Sequence, residues 1–432
     1  MLQQPAALPN VRMNERARAA ATVVVVPTTS MSSEPAPAHN SFALQSSACL
    51  AAVAQIFGIR LISKRQNRTA LHWARGKNRG KPIIRTPFEA YHPYAKGKSM
   101  RDKFYRPETS ITTPDPEFEP AVPKPFPRMY NTLAEFANQY DAFTLDHVGV
   151  LGNANSVFPG VVECLTQLKT MGKSTIILTN CAGRVDFQRN KLEKIMGIDP
   201  ELVTGIVTSG ELTHAYLRQN LEKLGSRVLW IAWEELEARG LADFFHDLEG
   251  FTLAESVKDA DFILISGVGS IFAGTPSAIS TTFEDDRTTK PFEKYFRLAV
   301  HHSLPMLCAN PDEELVDSEG KTAYMPGLLA KRYKELGGRV IFFGKPYTAA
   351  FEAARRLLED QGFGEGRICH IGDSLNHDVA GADHAGLDAA WVVQTGVDKH
   401  SLPKNARASD VHRFCKSKQL PSPTVVMPRF EW

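Results

Sequence analysis

Polar and apolar positions along this chain change period repeatedly after Tyr130, and the changes predict its elements. Phe143–Leu145 is a short apolar run of strand type that ends at Asp146. Pro159 then opens a stretch in which Val161, Leu165 and Leu168 recur at helical spacing, with Gly172 near its end. Ser174–Leu178 is the next strand and closes on Thr179-Asn180. Much later, Arg339–Phe343 runs into Gly344-Lys345-Pro346, and Pro346 sits where a helix starts. Arg367–Ile371 finally runs into Gly372-Asp373. Strand, helix and strand in repeated order predict an α/β fold built on a parallel, doubly wound sheet. The polar residues fall at the carboxyl ends of the strands, where such sheets bind ligands.

Between Thr179 and Lys345 lie 165 residues, too many for one crossover. The stretch has its own strand-like runs, Arg227–Trp233, Phe262–Ser266 and Pro305–Cys308. It therefore predicts an inserted α/β domain over 215–335, with the core divided between 130–214 and 336–432. Upstream, seven prolines between Pro107 and Pro127 cannot continue a helix or a central strand. Residues 107–129 thus read as an extended linker.

Composition is that of a globular chain, with 43% hydrophobic and 23% charged residues, but the net charge of +2 conceals a split. Residues 60–106 carry fourteen Lys or Arg against Glu89 and Asp102. Trp73, Phe88, Tyr91, Tyr94, Phe104 and Tyr105 lie among them and can stack on bases or anchor to a protein. This basic extension points to a polyanion, whether RNA or a ribonucleoprotein, a membrane surface or the interior of an organelle, or else is a solvated segment. Residues 1–59 begin with Arg12, Arg16 and Arg18 amid Ala, Ser and Thr, and read either as a mitochondrial transit peptide or as a plain tail of a cytoplasmic protein. Polar residues interrupt the apolar stretch 42–62, which predicts a short helix and no membrane span. Six scattered cysteines without paired spacing fit a reducing compartment.

Four constellations carry candidate chemistry: Asp146-His147-Val148-Gly149-Val150, Leu178-Thr179-Asn180, Gly344-Lys345-Pro346, and Gly372-Asp373-Ser374-Leu375-Asn376-His377-Asp378. Each alone can be turn or cap chemistry. All four close predicted strands, and together they suit phosphoryl transfer. A carboxylate attacking a phosphate dianion meets like-charge repulsion, so a divalent cation must bridge them, and hard oxygen ligands suit Mg2+. Asp146, Asp373, Asp378 and the backbone carbonyl of Val148 can supply such ligands. Thr179 can donate its hydroxyl to a phosphoryl oxygen, and Lys345 can neutralise growing charge.

In this order the four segments resemble motifs I to IV of the haloacid dehalogenase (HAD) superfamily. The long insert, with Asn310-Pro311-Asp312 after a strand and Gly205–Glu211 before it, resembles subclass IIA, which holds nitrophenylphosphatases and the pyridoxal and phosphoglycolate phosphatases. The resemblance covers about residues 135–400. It implies a Rossmann-like core with an α/β cap, magnesium, and an aspartyl-phosphate at Asp146. It also implies phosphate contacts from Thr179 and Lys345, metal binding by Asp373 and Asp378, and selection of a small phosphorylated substrate near Asn180, Asn310 and Asp312. A homodimer through the cap is a further expectation, and Asn310-Pro311-Asp312 reads equally well as a plain turn.

One position departs from the family. HAD phosphatases usually place a second Asp, the general acid and base, two residues after the nucleophile, and here that residue is Val148. Some subclass IIA relatives have an aromatic there. His147 is expected to face the other way and to pack, and Cys181 to fill space. Two readings follow: a magnesium-dependent phosphatase, weakened at Val148, or a HAD-fold binding protein that docks on an organellar RNA-protein particle such as a mitochondrial ribosome through residues 60–106.

Overall fold

The computed structural model describes residues 126–153, 156–316 and 321–432. The expectations for 1–59, for 60–106 and for most of the linker lie outside the described residues. Seven parallel strands form the core sheet, in the spatial order Arg128–Met129, Val425–Met427, Asp388–Val392, Ile368–Gly372, Ala142–Leu145, Ser174–Thr179 and Gly205–Thr208. The central strands are buried along their whole length, as a parallel sheet covered on both faces requires. Helices Val161–Thr170, Val185–Lys194, Thr348–Asp360 and Ala408–Lys418 connect them.

From Ala142–Leu145 the chain winds outward through Ser174–Thr179 to Gly205–Thr208. From the adjacent Ile368–Gly372 it winds the opposite way. The order reverses between these two neighbours, and the crevice at their carboxyl ends is where an open α/β sheet takes its ligand. Asp146 follows the first strand and Asp373 the second.

Two predicted boundaries move. The last linker residues, Arg128–Met129, pair with Val425 and Val426 as an exposed edge strand, so the sheet begins before residue 130. At the other junction, the expected return to the core at 336 comes too early. Val340–Phe342 pairs in parallel with Met306–Cys308, in the second sheet. The core therefore resumes after Phe343, and Lys345 follows a strand of the cap. The pattern of the sequence is that of a strand either way, and only the partner differs.

The cap holds this second sheet, in the order Val340–Phe342, Met306–Cys308, Phe262–Ile265, Arg227–Ala232, Ser270–Ile271 and Ile279–Ser280. Thr252–Leu253 is an extra partner of Arg227–Ala232. Helix Ser209–Leu224 leads into it without a break at 214/215. Among the described residues, no helix is long and apolar enough to cross a membrane.

Candidate active site

Asp146, Asp373 and Asp378 come together as a buried triad, each with a carboxylate oxygen within 4.8 Å of the others. Lys345 is buried with them. Its Nζ donates to Asp146 and, at 2.7 Å, to Oδ1 of Asp378. Ser374 N donates to Asp378 Oδ2 at 2.9 Å and Val397 N to Asp373 Oδ2 at 2.5 Å, so backbone amides fix both acids. Gly149, with φ +100°, passes against the Asp373 carboxylate where any Cβ would overlap it.

Three carboxylates share one ammonium, and their proton affinities record the deficit. Burial pushes Asp146 up to about 6, against the pull of Lys345 and with help from the Asp378 charge. Burial and the charges of Asp146 and Asp378 lift Asp373 well above the carboxylate range. Asp378 goes the other way: Lys345 and a hydrogen bond from His370 overcome its burial and hold it low. Lys345 is raised because the two acids outweigh its own burial. The donors are hard oxygens, buried and short of positive charge, which fits a divalent cation.

Asn180 holds the lysine loop. Its Oδ1 accepts from Lys345 N at 2.7 Å, and its Nδ2 donates to Lys345 O at 3.0 Å and to Asp312 Oδ1 at 2.8 Å. The amide expected to meet substrate thus binds core to cap. Asn310 Oδ1 accepts from Asp312 N at 2.9 Å, closing a turn at the cavity wall, so the turn and the wall occupy the same residues. Thr179 and Val148 also line this cavity, which measures about 180 Å³. That is below the roughly 300–1,000 Å³ of pockets for drug-sized ligands.

His147 also lines the cavity, but its ring is buried and held between Gln188 Nε2 at 2.9 Å and the Met196 sulfur at 2.9 Å. Burial holds its imidazole neutral, with a pKa of about 3. Cys181 has its thiol pushed up by burial and stays uncharged.

The sequence reading missed His370 and Thr144. They sit opposite each other on neighbouring strands and share a 2.8 Å hydrogen bond, while His370 Nε2 meets Asp378 Oδ1 at 2.9 Å. A polar residue at the middle of each apolar run was the available signal. Lys191, Trp233, Arg239 and His377 also line the cavity and were not foreseen.

Comparison with known proteins agrees with this geometry. Residues 143–241 match the haloacid dehalogenase-like hydrolase family, and residues 342–414 match the HAD-hydrolase-like family. The chain belongs to the HAD superfamily, subclass IIA. Within it, a 4-nitrophenylphosphatase of Schizosaccharomyces pombe is 25% identical over 63% of this chain and 90% of its own length. Phosphoglycolate phosphatase 2 of Arabidopsis thaliana is 24% identical over 60% and 85%. A solved HAD-like hydrolase from Brucella suis shares the fold with a TM-score of 0.56 and 23% identity, covering 70% of this chain and 99% of its own.

Proposed function

We propose that this HAD protein is a magnesium-dependent phosphomonoesterase acting on a small phosphorylated metabolite, with Asp146 as nucleophile. The observation that carries the reading is the buried Lys345 ammonium between Asp146 and Asp378, at the switch point of the sheet and open to a small cavity. The phosphatase names of its relatives agree with it. Asp146 would attack phosphorus, forming an aspartyl-phosphate as the ester oxygen leaves, and water would then release phosphate and restore the carboxylate. Magnesium, held by Asp146, Asp373, Asp378 and the Val148 carbonyl, would screen the repulsion between carboxylate and phosphate dianion. Lys345 steadies the charge on Asp146 and the transferred group, and Thr179 offers its hydroxyl to a phosphoryl oxygen.

The test is phosphate release from a panel of metabolite esters by the full chain, with magnesium and with chelator. Turnover should need the metal and vanish in Asp146→Asn. Turnover that survives in Asp146→Asn would exclude the aspartyl-phosphate route. Val148 favours a second reading, a HAD-fold binding protein that docks through residues 60–106. Absence of turnover on every ester, even in Val148→Asp, would leave that reading in place.

A further inference from the structure

The cavity has a second wall that phosphoryl transfer at Asp146 does not use. Lys191, on the core helix Val185–Lys194, and Arg239, on the cap loop after Trp233, both line it. Lys191 is half-buried, and among the described residues no carboxylate forms an ion pair with it. Its electrostatic neighbours are the neutral Cys181 thiol and the like-charged Arg239, and burial together with Arg239 lowers its proton affinity. A half-buried cation facing another cation is costly unless an anion arrives.

Arg239 is held for the same purpose. Its guanidinium lies 4.2 Å from the centre of the buried Trp233 ring, a cation–π contact that fixes its plane. Its other partner, Glu284 at 3.1 Å, is a surface pair with the arginine side chain 40% exposed, which binds weakly and can be exchanged. Gly240, at φ +70°, lets the cap loop press on the Phe187 ring of the core helix, where a Cβ would overlap it. Core lysine and cap arginine are thereby brought to one wall. The candidate metal ligands Asp146, Asp373 and Asp378 gather around Lys345. Asp312 and Glu314 also line the cavity, and Asp312, held by the Asn180 amide, acts on Cys181 together with Lys191 and Arg239.

We propose that Lys191 and Arg239 form a second anion subsite, so that the preferred ligand carries a carboxylate or a second phosphate beside its phosphate ester. This deepens the phosphatase reading and rests on it for the position of the ester. Such a ligand spans core and cap, binding its ester at Lys345 and its second anion at Lys191 and Arg239.

The experiment compares three ligands of matched length on the full chain with magnesium: glycerol 3-phosphate, 3-phosphoglycerate and 1,3-propanediol bisphosphate. Binding is read by calorimetry on Asp146→Asn, and turnover as ratios of kcat/KM on the parent chain. At least one of the two ligands with a second anionic group should bind about tenfold or more tightly than glycerol 3-phosphate, the effect of one hydrogen bond to a charged group. Which one gains identifies carboxylate or phosphate as the second anion. Lys191→Met should collapse that preference, Arg239→Gln should weaken it, and Lys191→Arg should retain it. Equal affinity for all three ligands, no binding of any, or a preference that survives in the Lys191→Met/Arg239→Gln double variant would overturn the subsite. A preference without turnover of any ester would retain the subsite and reject the phosphatase.

Discussion

At Val148 an isopropyl group lines the cavity where related phosphatases usually place a carboxylic acid. His147 cannot replace it, because Gln188 and Met196 hold its ring and burial keeps it neutral. Under the proposed chemistry the leaving oxygen would depart without a positioned proton donor, and its own basicity would set the rate. Turnover should fall steeply from nitrophenyl phosphate to alkyl phosphates, and Val148→Asp should raise the alkyl rates by up to about 10²–10⁴ while moving the aryl rate less. Steady-state rates across esters of graded leaving-group pKa check this, and a flat series in the parent chain would point to another proton donor. The site residues differ in how far the sequence revealed them. Asp146, Thr179, Lys345, Asp373 and Asp378 were readable because each follows a strand-like run in the order phosphoryl transfer needs. Lys191 and Arg239 were not, because a helix lysine and a loop arginine look the same whether they face solvent or a cavity. Only the contact of the Arg239 loop with Phe187 gives them a common wall.

Among the elements, the helices Val185–Lys194 and Ser209–Leu224 are joined by one buried ion pair. Arg184 Nε donates to Glu211 Oε2 at 2.7 Å and Arg184 Nη2 to Glu211 Oε1 at 2.8 Å, and Val185 N donates to the same carboxylate. Hydrogen bonds from Arg184 overcome burial and hold Glu211 below the usual carboxylate range. The second helix carries the chain into the cap, so the pair ties the cap's entry to the segment that bears Lys191. Removing one partner leaves a buried charge uncompensated. Glu211→Gln should cost about 3–5 kcal/mol, and Arg184→Met/Glu211→Leu should recover much of that loss. Chemical denaturation of the three chains measures it, and a double variant no more stable than Glu211→Gln would deny the ion pair this role. Pairing partners were the hidden quantity at this scale. The run Arg339–Phe343 announced a strand, yet its neighbour Met306–Cys308 belongs to the inserted sheet, and no local pattern encodes that choice. The core strands were legible because burial on both faces makes them continuously apolar.

For the whole molecule, the surplus of buried carboxylate couples stability to protons and to metal. Asp146 is raised from 3.8 to about 6, and Asp373 is raised in the same direction. Between pH 3.8 and about 6 the native state therefore keeps a proton on Asp146 that the unfolded chain has released. The stability this gives is complete at the lower end and is lost as pH rises through the folded value. Asp378 runs the opposite way, and its contribution fails only in stronger acid. Neutral buried histidines such as His147 also favour the native state as pH rises, so the bare stability curve mixes opposing slopes. Metal binding separates them, because a cation must displace the protons of Asp146 and Asp373 and leaves His147 untouched. Excess magnesium should thus raise Tm more at a pH of about 7.5 than at about 5, and at a concentration a hundred times Kd it should stabilise the native state by about 2.7 kcal/mol. Asp146→Asn removes one competing proton and should flatten that pH dependence, and Asp378→Ala should abolish the stabilisation. Thermal unfolding of the three chains at both pH values, with magnesium and with chelator, decides it. Equal protection at both pH values in the parent chain would mean that the cation binds somewhere other than the triad that surrounds Lys345.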